Sequence, residues 1–207
     1  MPRTYLEVEV KGKYDSAQLW EELTLTMEEI ARFGLRWFPW ITAASFLPYL
    51  LAWGFPSGPA WSGTLDAVTE MAIWAAIGLS VYAVSAVVHE LLHAAAMLLV
   101  GVPGKSIRFG GRIREGIIYV HTDVAMSARA YRVVLLTPAA LQGVIPIVAG
   151  TALGWLWLVL YGYVMLASAI GDLSVFRLIR EIPSDATVRD HPEMVGCRVL
   201  THQTNGE

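Results

Sequence analysis

Four long stretches of the chain are almost free of charged side chains: residues 37–55, 67–100, 133–153 and 155–176. At about 1.5 Å per helical residue, each is long enough to cross a hydrocarbon core of roughly 30 Å. The pattern therefore predicts about four transmembrane helices. The second stretch exceeds one crossing, so we expect its ends to project from the hydrocarbon core.

The segments around these stretches are polar. Residues 5–11 alternate apolar and charged side chains, which indicates a short strand, whereas residues 16–35 show helical spacing and indicate an amphipathic helix. Residues 101–132 combine glycines with β-branched and aromatic residues, which favours a small β-hairpin. The expected fold is an all-α membrane protein of about four transmembrane helices, with this hairpin between the second and third. It divides into an N-terminal segment, a membrane domain and a polar C-terminal tail, at residues 1–36, 37–176 and 177–207.

The composition agrees with a membrane protein. The chain is 55% hydrophobic and 16% charged, and soluble domains carry about 25% charged residues. Its net charge of -3 argues against a nucleic-acid partner, which would require a basic face. Membrane lipid and a membrane protein are the expected partners. The single cysteine, Cys197, cannot form an intrachain disulfide and indicates a reducing compartment for the tail.

The basic residues predict how the chain is oriented. All 15 lysines and arginines fall in the N-terminal segment, in residues 101–132 or in the C-terminal tail. Basic residues in short loops mark the cytoplasmic side of a membrane. Four spans place these three regions on one face, so a multi-pass protein of the cell membrane with both termini and the hairpin in the cytoplasm is predicted.

The motif HELLH interrupts the second apolar stretch with His89, Glu90 and His93. On a helix, residues four apart project from one face, so both imidazoles can reach one cation. Glu90 lies about 100° further round, within reach of a water on that cation. This is the HExxH arrangement, in which Zn²⁺ activates a water molecule and the glutamate takes its proton.

The motif is also compatible with roles that involve no zinc. Two histidines at this spacing also bind haem, or form hydrogen bonds with a neighbouring span. However, an ionisable group at membrane depth costs roughly 2.5 kcal/mol or more unless it is paired or metal-bound. Three such groups within five residues therefore favour a common metal partner.

A catalytic zinc ion commonly has three protein ligands, so a third is required. The acidic and histidine candidates are Glu70, His121, Asp123, Asp172, His191 and His202. Asp172 is favoured because it is the only charged residue between Arg132 and Arg177. It lies about 7.5 Å along a helix from Arg177, and His93 lies about 12 Å from Gly101, so both lie at comparable depth beneath one face. The alternative for Asp172 is a helix cap or an ion pair with Arg177.

Two further features are candidates for contact with a substrate. Gln142 lies between two prolines and is a weak candidate to donate to a substrate carbonyl, although a bond to a backbone carbonyl freed by a kink is favoured. The edge of the hairpin is suited to pair with an extended substrate, because a helical peptide bond is inaccessible until it is unwound. A cap that shields the site is an equal alternative for the hairpin.

These features resemble a known group of proteins. HELLH in one span, a β-rich loop after it, a third span with prolines and an aspartate in the last span are similar to the site-2-protease type of intramembrane zinc metalloprotease. The stretches ASAIGDLSVFRLIR and VRDHPEMVGCRV are closer to its small relatives, the membrane zincin peptidases. The resemblance covers about residues 67–200 and implies His89, His93 and Asp172 as zinc ligands and Glu90 as general base. One departure is that IGDL replaces the Asn-Pro-rich segment ending in Leu-Asp-Gly of the larger family.

The sequence therefore predicts a zinc-dependent endopeptidase that cleaves a transmembrane or membrane-proximal protein near the cytoplasmic face. The main rival is a membrane protein that keeps the metal site for structure or regulation without catalysis. A bis-histidine haem protein and a metal or proton transporter are further alternatives. The transporter is disfavoured because its pathway requires more intramembrane acids than the sequence offers.

Overall fold

The computed structural model describes residues 5–7, 19–55, 66–112, 117–191 and 194–201. Within these ranges the chain is mainly helical, with strands before, between and after the helices. The helices are α1 Met27–Trp53, α2 Ala67–Leu99, α3 Ala128–Pro138, α4 Ile145–Leu153, α5 Leu156–Ser168 and α6 Ile170–Ile179. The strands are β1 Tyr5–Glu7, β2 Leu19–Leu25, β3 Ile107–Arg112, β4 Ile117–Thr122, β5 Met126–Ser127, β6 Thr187–Asp190 and β7 Val195–Thr201.

In the described part of the chain, two helices are long and apolar enough to cross a membrane. One is α2, and the other is the continuous helix Ala128–Leu153, in which the π-helical turn Ala139–Val144 joins α3 to α4. The pair α5 and α6 adds a third crossing if this pair, bent by 52°, is one span. The first helix, α1, is long enough but not apolar enough by the same measure. Two or three spans are compatible with a membrane protein, and a fourth at α1 stays a prediction.

Helix α2 carries the HELLH motif near its C-terminal end. Asp66 caps its first turn by accepting a hydrogen bond from the backbone N–H of Thr69 at 3.0 Å. Its 33 residues span about 50 Å, so one end must project beyond a hydrocarbon core of roughly 30 Å. Only 6% of its most apolar window is buried within the protein, as expected of a helix that faces lipid.

The π-helical turn before α4 and helix α5 pack closely through glycine. A Cβ atom on Gly162 of α5 would lie 2.6 Å from the carbonyl oxygen of Gly143, and one on Gly143 would lie 3.0 Å from Leu166 Cβ. Small residues allow backbones to approach in this way, and dispersion and polar contacts then hold the helices together. The close packing fixes α5, and with it the start of α6, against the π-helical turn.

The polar ends of the chain form a sheet that the sequence did not predict. Its strand order is β1-β2-β7-β6-β5, and all neighbouring strands are antiparallel. On β2 and β7, Glu22 lies opposite Arg198 and accepts a hydrogen bond from its guanidinium at 2.9 Å. The description as an all-α protein with one hairpin is therefore too simple, because the helical protein also carries this five-stranded sheet.

The helix expected over residues 16–35 is wrong in its first half. Leu19–Leu25 is a strand, and the helix begins only at Met27, where Thr26 and Glu29 form a capping box. The error has a physical cause, since a spacing of four residues is a multiple of the two-residue period of a strand as well as about one helical turn. Because Leu19–Leu25 pairs with β7, this segment is a strand and not a helix.

The hairpin between α2 and α3 is confirmed. Strands β3 and β4 pair antiparallel, with Phe109 opposite Val120, and residues 113–116 lie outside the described part of the chain. The sheet and the ends of the helices next to it enclose the main core, to which α2, α3, α6 and the strands all contribute. Its buried members include Met97, Tyr131, Val134, Ile179, Val188, Cys197 and Val199.

Cys197 should be unreactive in the folded protein. Its side chain is fully buried in β7, and this burial, with the charge of Asp190, raises the pKa of the thiol to about 12. Since the thiolate is the reactive form, a thiol reagent at pH 8 should modify the native protein at least about a hundredfold more slowly than the protein unfolded in detergent. The half-exposed Val195 of the same strand provides a control: Val195→Cys, in a Cys197→Ser background, should react rapidly. Equal rates for the two positions in native protein would contradict the buried placement.

Candidate metal centre

Helix α2 presents the two histidines of HELLH side by side. His89 and His93 are one turn apart, and their ring centroids are separated by 5.0 Å. The rings are nearly perpendicular to each other, at 75°. Both side chains are largely buried, with exposures of 12% and 10%. This arrangement directs two imidazole nitrogens towards one point inside the protein.

The third member of the site comes from a distant part of the chain. Asp172 lies in the first turn of α6, just after the bend that follows α5. One carboxylate oxygen, Oδ2, lies 3.0 Å from Nε2 of His89, and the other, Oδ1, lies 3.4 Å from Nε2 of His93. One ligand atom from each of the three residues lies within 4.8 Å of the others. Two imidazoles and a carboxylate form a donor set suited to zinc.

The alternative partner for Asp172 is excluded by the same geometry. Arg177 turns away from it and lies over the ring of Phe33 in α1, 5.4 Å from the ring centroid. Asp172 instead makes its side-chain contacts with the two histidines. The tertiary structure therefore brings Asp172, the partner that the sequence favoured, to the HELLH motif.

Helix α3 orients His93 through its backbone. The Nδ1 atom of His93 lies 2.9 Å from the carbonyl oxygen of Val134. Pro138 follows four residues later and lacks the N–H that would normally bond to this carbonyl, so the oxygen is available to the imidazole. Because a carbonyl can only accept, Nδ1 donates, and the Nε2 atom is left to bind a cation.

Glu90 faces the hairpin. Its Oε2 atom accepts a hydrogen bond from the backbone N–H of Val120 in β4 at 2.8 Å. The next N–H on the same edge of β4, that of Thr122, donates to Asp190 of β6 at 3.1 Å. Burial raises the pKa of Asp190, although the hydrogen bonds from Tyr131 and Thr122 oppose the shift. The first contact holds β4 beside α2 and fixes the direction of the Glu90 carboxylate, and the second holds β4 beside β6.

A cavity of about 280 Å³ opens beside these groups. His89 and Glu90 line it, together with Ile118 from the hairpin. Its other walls come from α2 and α5, through Tyr82, Ala86, Met165 and Ser168. The site is thus accessible from one side, as a reaction on an external molecule requires.

The other candidate ligands lie elsewhere. Asp123 is half exposed and pairs with Arg108 and Arg189 on the surface. His191 pairs with Glu22 at 3.5 Å in the sheet. Among the described residues, the group that can hold a metal contains none of Glu70, His121, Asp123 and His191, and His202 lies outside the described residues. Glu70 lies on α2 about 28 Å from His89, at the opposite end of the helix.

Gln142 is buried within the π-helical turn. Its side-chain nitrogen donates to the carbonyl of Ser85 in α2 at 3.1 Å and lies 3.4 Å from the hydroxyl of Tyr161. Gln142 therefore bonds a backbone carbonyl, but this carbonyl belongs to α2 and is not one freed by a kink, which the sequence favoured. Contact of Gln142 with a substrate stays a prediction.

Two functional groups of the site were not found by sequence reasoning. Both are backbone atoms, the carbonyl of Val134 and the N–H of Val120, which side-chain motifs do not reveal. Pro138 was a usable signal for the first, because a proline in a helix frees the carbonyl four residues before it. The sequence carried no comparable signal for the second.

The combination of a His-Glu-x-x-His helix with a distant acidic residue defines a zincin type of site. Comparison with known protein families agrees: residues 82–187, half of the chain, match the model of the family described as "Putative zincin peptidase", and the chain belongs to that family. The family indicates a zinc-dependent peptidase, which confirms this part of the sequence prediction. No curated protein and no solved structure matches the chain. The narrower similarity to site-2 proteases stays a prediction.

Zinc content should depend on Asp172. The purified protein should hold about one zinc ion per chain, and Asp172→Ala should hold less than about a tenth of that, because two imidazoles alone bind zinc weakly. Asp172→Asn keeps the shape of the side chain but not its charge, and should also lose most of the metal. Asp123→Ala removes an exposed carboxylate and should retain full occupancy. Elemental analysis of folded, monodisperse samples measures the difference, and full zinc occupancy in both Asp172 variants would exclude this carboxylate as a ligand.

Proposed function

We propose that the protein is a zinc-dependent endopeptidase that hydrolyses peptide bonds within or beside the membrane, near its cytoplasmic face. The observation that carries the proposal is the meeting of Asp172 with His89 and His93, while Glu90 lines the same open cavity. A purely structural metal site has no need of a carboxylate directed into an accessible cavity. A catalytic site requires one.

The residues present fit a zinc ion. His89, His93 and Asp172 would hold it, with the Val134 carbonyl fixing the orientation of His93. Three protein ligands leave a fourth position open, as in catalytic zinc sites. When bound, zinc supplies Lewis-acid chemistry, which polarises the substrate carbonyl and lowers the pKa of water.

Glu90 is the general base in this proposal. Its carboxylate takes a proton from the attacking water and passes that proton to the amide nitrogen as the peptide bond breaks. The N–H of Val120 holds one of its oxygens, at 2.8 Å, and so keeps the carboxylate directed towards the cavity. The hairpin therefore positions the catalytic residue as well as covering the site.

The edge of β4 offers a place for the substrate backbone. Its N–H groups at Val120 and Thr122 face away from β3 and are bonded to Glu90 and Asp190. By the two-residue period of a strand, the N–H of Ile118 faces the same way and is the group that would pair with a substrate. Ile118 also lines the cavity. An extended substrate that pairs with this edge would bring a peptide bond close to His89 and Glu90, and pairing of this kind requires the substrate to be unwound.

The membrane setting is supported by the distribution of apolar and basic residues. Helix α2 and the helix Ala128–Leu153 have the length and hydropathy of membrane spans, and α1 and the α5–α6 pair are the proposed additional spans. Lysines and arginines concentrate in the regions that hold the hairpin and the two ends of the chain. By the positive-inside rule, these regions and the metal site beneath them face the cytoplasm.

Removal of the general base should separate catalysis from metal binding. Glu90→Gln should lower the rate of peptide-bond hydrolysis by about 10²- to 10⁴-fold while zinc occupancy stays unchanged, since Glu90 is not a ligand. The assay uses unfolded β-casein and purified protein in detergent, with cleavage products identified by mass spectrometry. Glu28→Gln changes an exposed carboxylate on α1 and should have no effect.

The outcome also distinguishes the rival functions. If the zinc-loaded wild-type chain and Glu90→Gln are equally inert towards casein and towards membrane-inserted peptides, the metal site is structural or regulatory. A haem absorption band in the purified protein would instead establish the bis-histidine haem alternative. Loss of cleavage on treatment with a chelator, and its return with added zinc, is the result that the proposal requires.

A further inference from the structure

An apolar groove of about 370 Å³ runs between α2 and α5. Its lining contains no charged side chain, and Tyr82 and Met165 belong to this groove and to the cavity at the metal site alike. The two spaces therefore adjoin each other at these two side chains. The far end is marked by Trp74 and Trp157, whose rings stack with centroids 5.9 Å apart.

One face of α2 lines both spaces. Gly78, Tyr82, Ala86 and His89 follow at intervals of three or four residues, which places them above one another on the helix. The distance from His89 back to Gly78 is about 16 Å along the axis, which an extended chain covers in about five residues. The groove is thus long enough for several consecutive side chains of a polypeptide whose scissile bond lies at His89.

Gly78 gives the groove its depth. Glycine in the interior of a helix is destabilising relative to alanine, so it calls for a reason in packing or function. Packing does not supply one, because a Cβ atom at Gly78 would meet nothing within 4 Å. The backbone there is ordinary helix and needs no glycine. The glycine therefore contributes open space to the groove.

From these observations we infer that the groove is the subsite for an apolar segment of a membrane-inserted polypeptide next to its scissile bond, and that Gly78 determines its specificity. The inference rests on the proposed peptidase function. A polypeptide fits better than a lipid chain, because the cavity that adjoins the groove is lined by His89, Glu90 and Ile118, where polar groups and a strand edge can meet a peptide backbone. Side chains of the groove then select substrates whose adjacent residues are large and apolar.

Binding of a defined peptide tests the groove without requiring hydrolysis. The probe is a Leu- and Ala-rich peptide of about 20 residues with lysines at both ends and a dansyl group at its centre, in phosphatidylcholine vesicles. The zinc-loaded Glu90→Gln protein binds it without consuming it, and energy transfer from tryptophan measures the dissociation constant. Adding Gly78→Leu should weaken binding by at least about tenfold, because the new side chain fills the subsite.

The matched control adds the same side chain elsewhere on the helix. Ala76 is exposed and lies about 200° round α2 from Gly78, so Ala76→Leu should change the dissociation constant less than about twofold. Zinc content should be equal in both variants, which shows that the site remains folded. Equal binding by the two variants, equal weakening in both, or absence of binding to the parent protein because lipid chains fill the groove would each overturn the inference.

The result is independent of the casein assay. If the wild-type chain cleaves no substrate but Gly78→Leu selectively weakens probe binding, the peptidase proposal fails and the groove remains a site for an apolar peptide. If casein is cleaved and the two variants bind the probe equally, the peptidase proposal stands and the groove is not its subsite.

Discussion

The contact of one carboxylate with two imidazoles is the interaction on which the rest of the structure depends. Asp172, His89 and His93 are ionisable groups on apolar helices, and each would be costly to bury without a partner. Their meeting joins α6 to α2 across 83 residues of sequence. Helix α3 completes the arrangement through the Val134 carbonyl, which Pro138 leaves available to His93. Three helices are thereby fixed at one point.

The remaining elements lie on two sides of these three residues. The hairpin reaches α2 through the bond between Val120 and Glu90, and the sheet formed by the ends of the chain holds the hairpin through Thr122 and Asp190. Among the apolar helices, close packing at Gly143 and Gly162 sets α5 in place, and an apolar groove lies between it and α2. The proposed catalytic carboxylate thus lies between a strand edge and the cavity that adjoins this groove, which suits the extended, apolar substrate proposed above.

Several features could be predicted from local sequence because their physical basis is local. The spacing of His89, Glu90 and His93 places them on one helix wherever that helix lies, and the two glycine-bounded runs form the hairpin β3 and β4 as expected. Asp172 could be predicted because the number of helical residues between a side chain and the nearest polar segment gives its depth in a membrane. The segment Leu19–Leu25 was predicted incorrectly because its spacing fits a strand and a helix alike, and only pairing with β7 resolves it.

By itself, then, the sequence predicted the donor groups of the candidate metal site, including Asp172, and the apolar character of the helices, since side-chain type and helical period suffice for these. The tertiary structure alone decided that Val134 and Val120 contribute backbone atoms to the site, that the polar ends pair into one sheet, and that an apolar groove adjoins the cavity at His89. The physical reason is that hydrogen bonds of the backbone and the space between helices depend on which segments become neighbours, and residue type does not encode that choice locally.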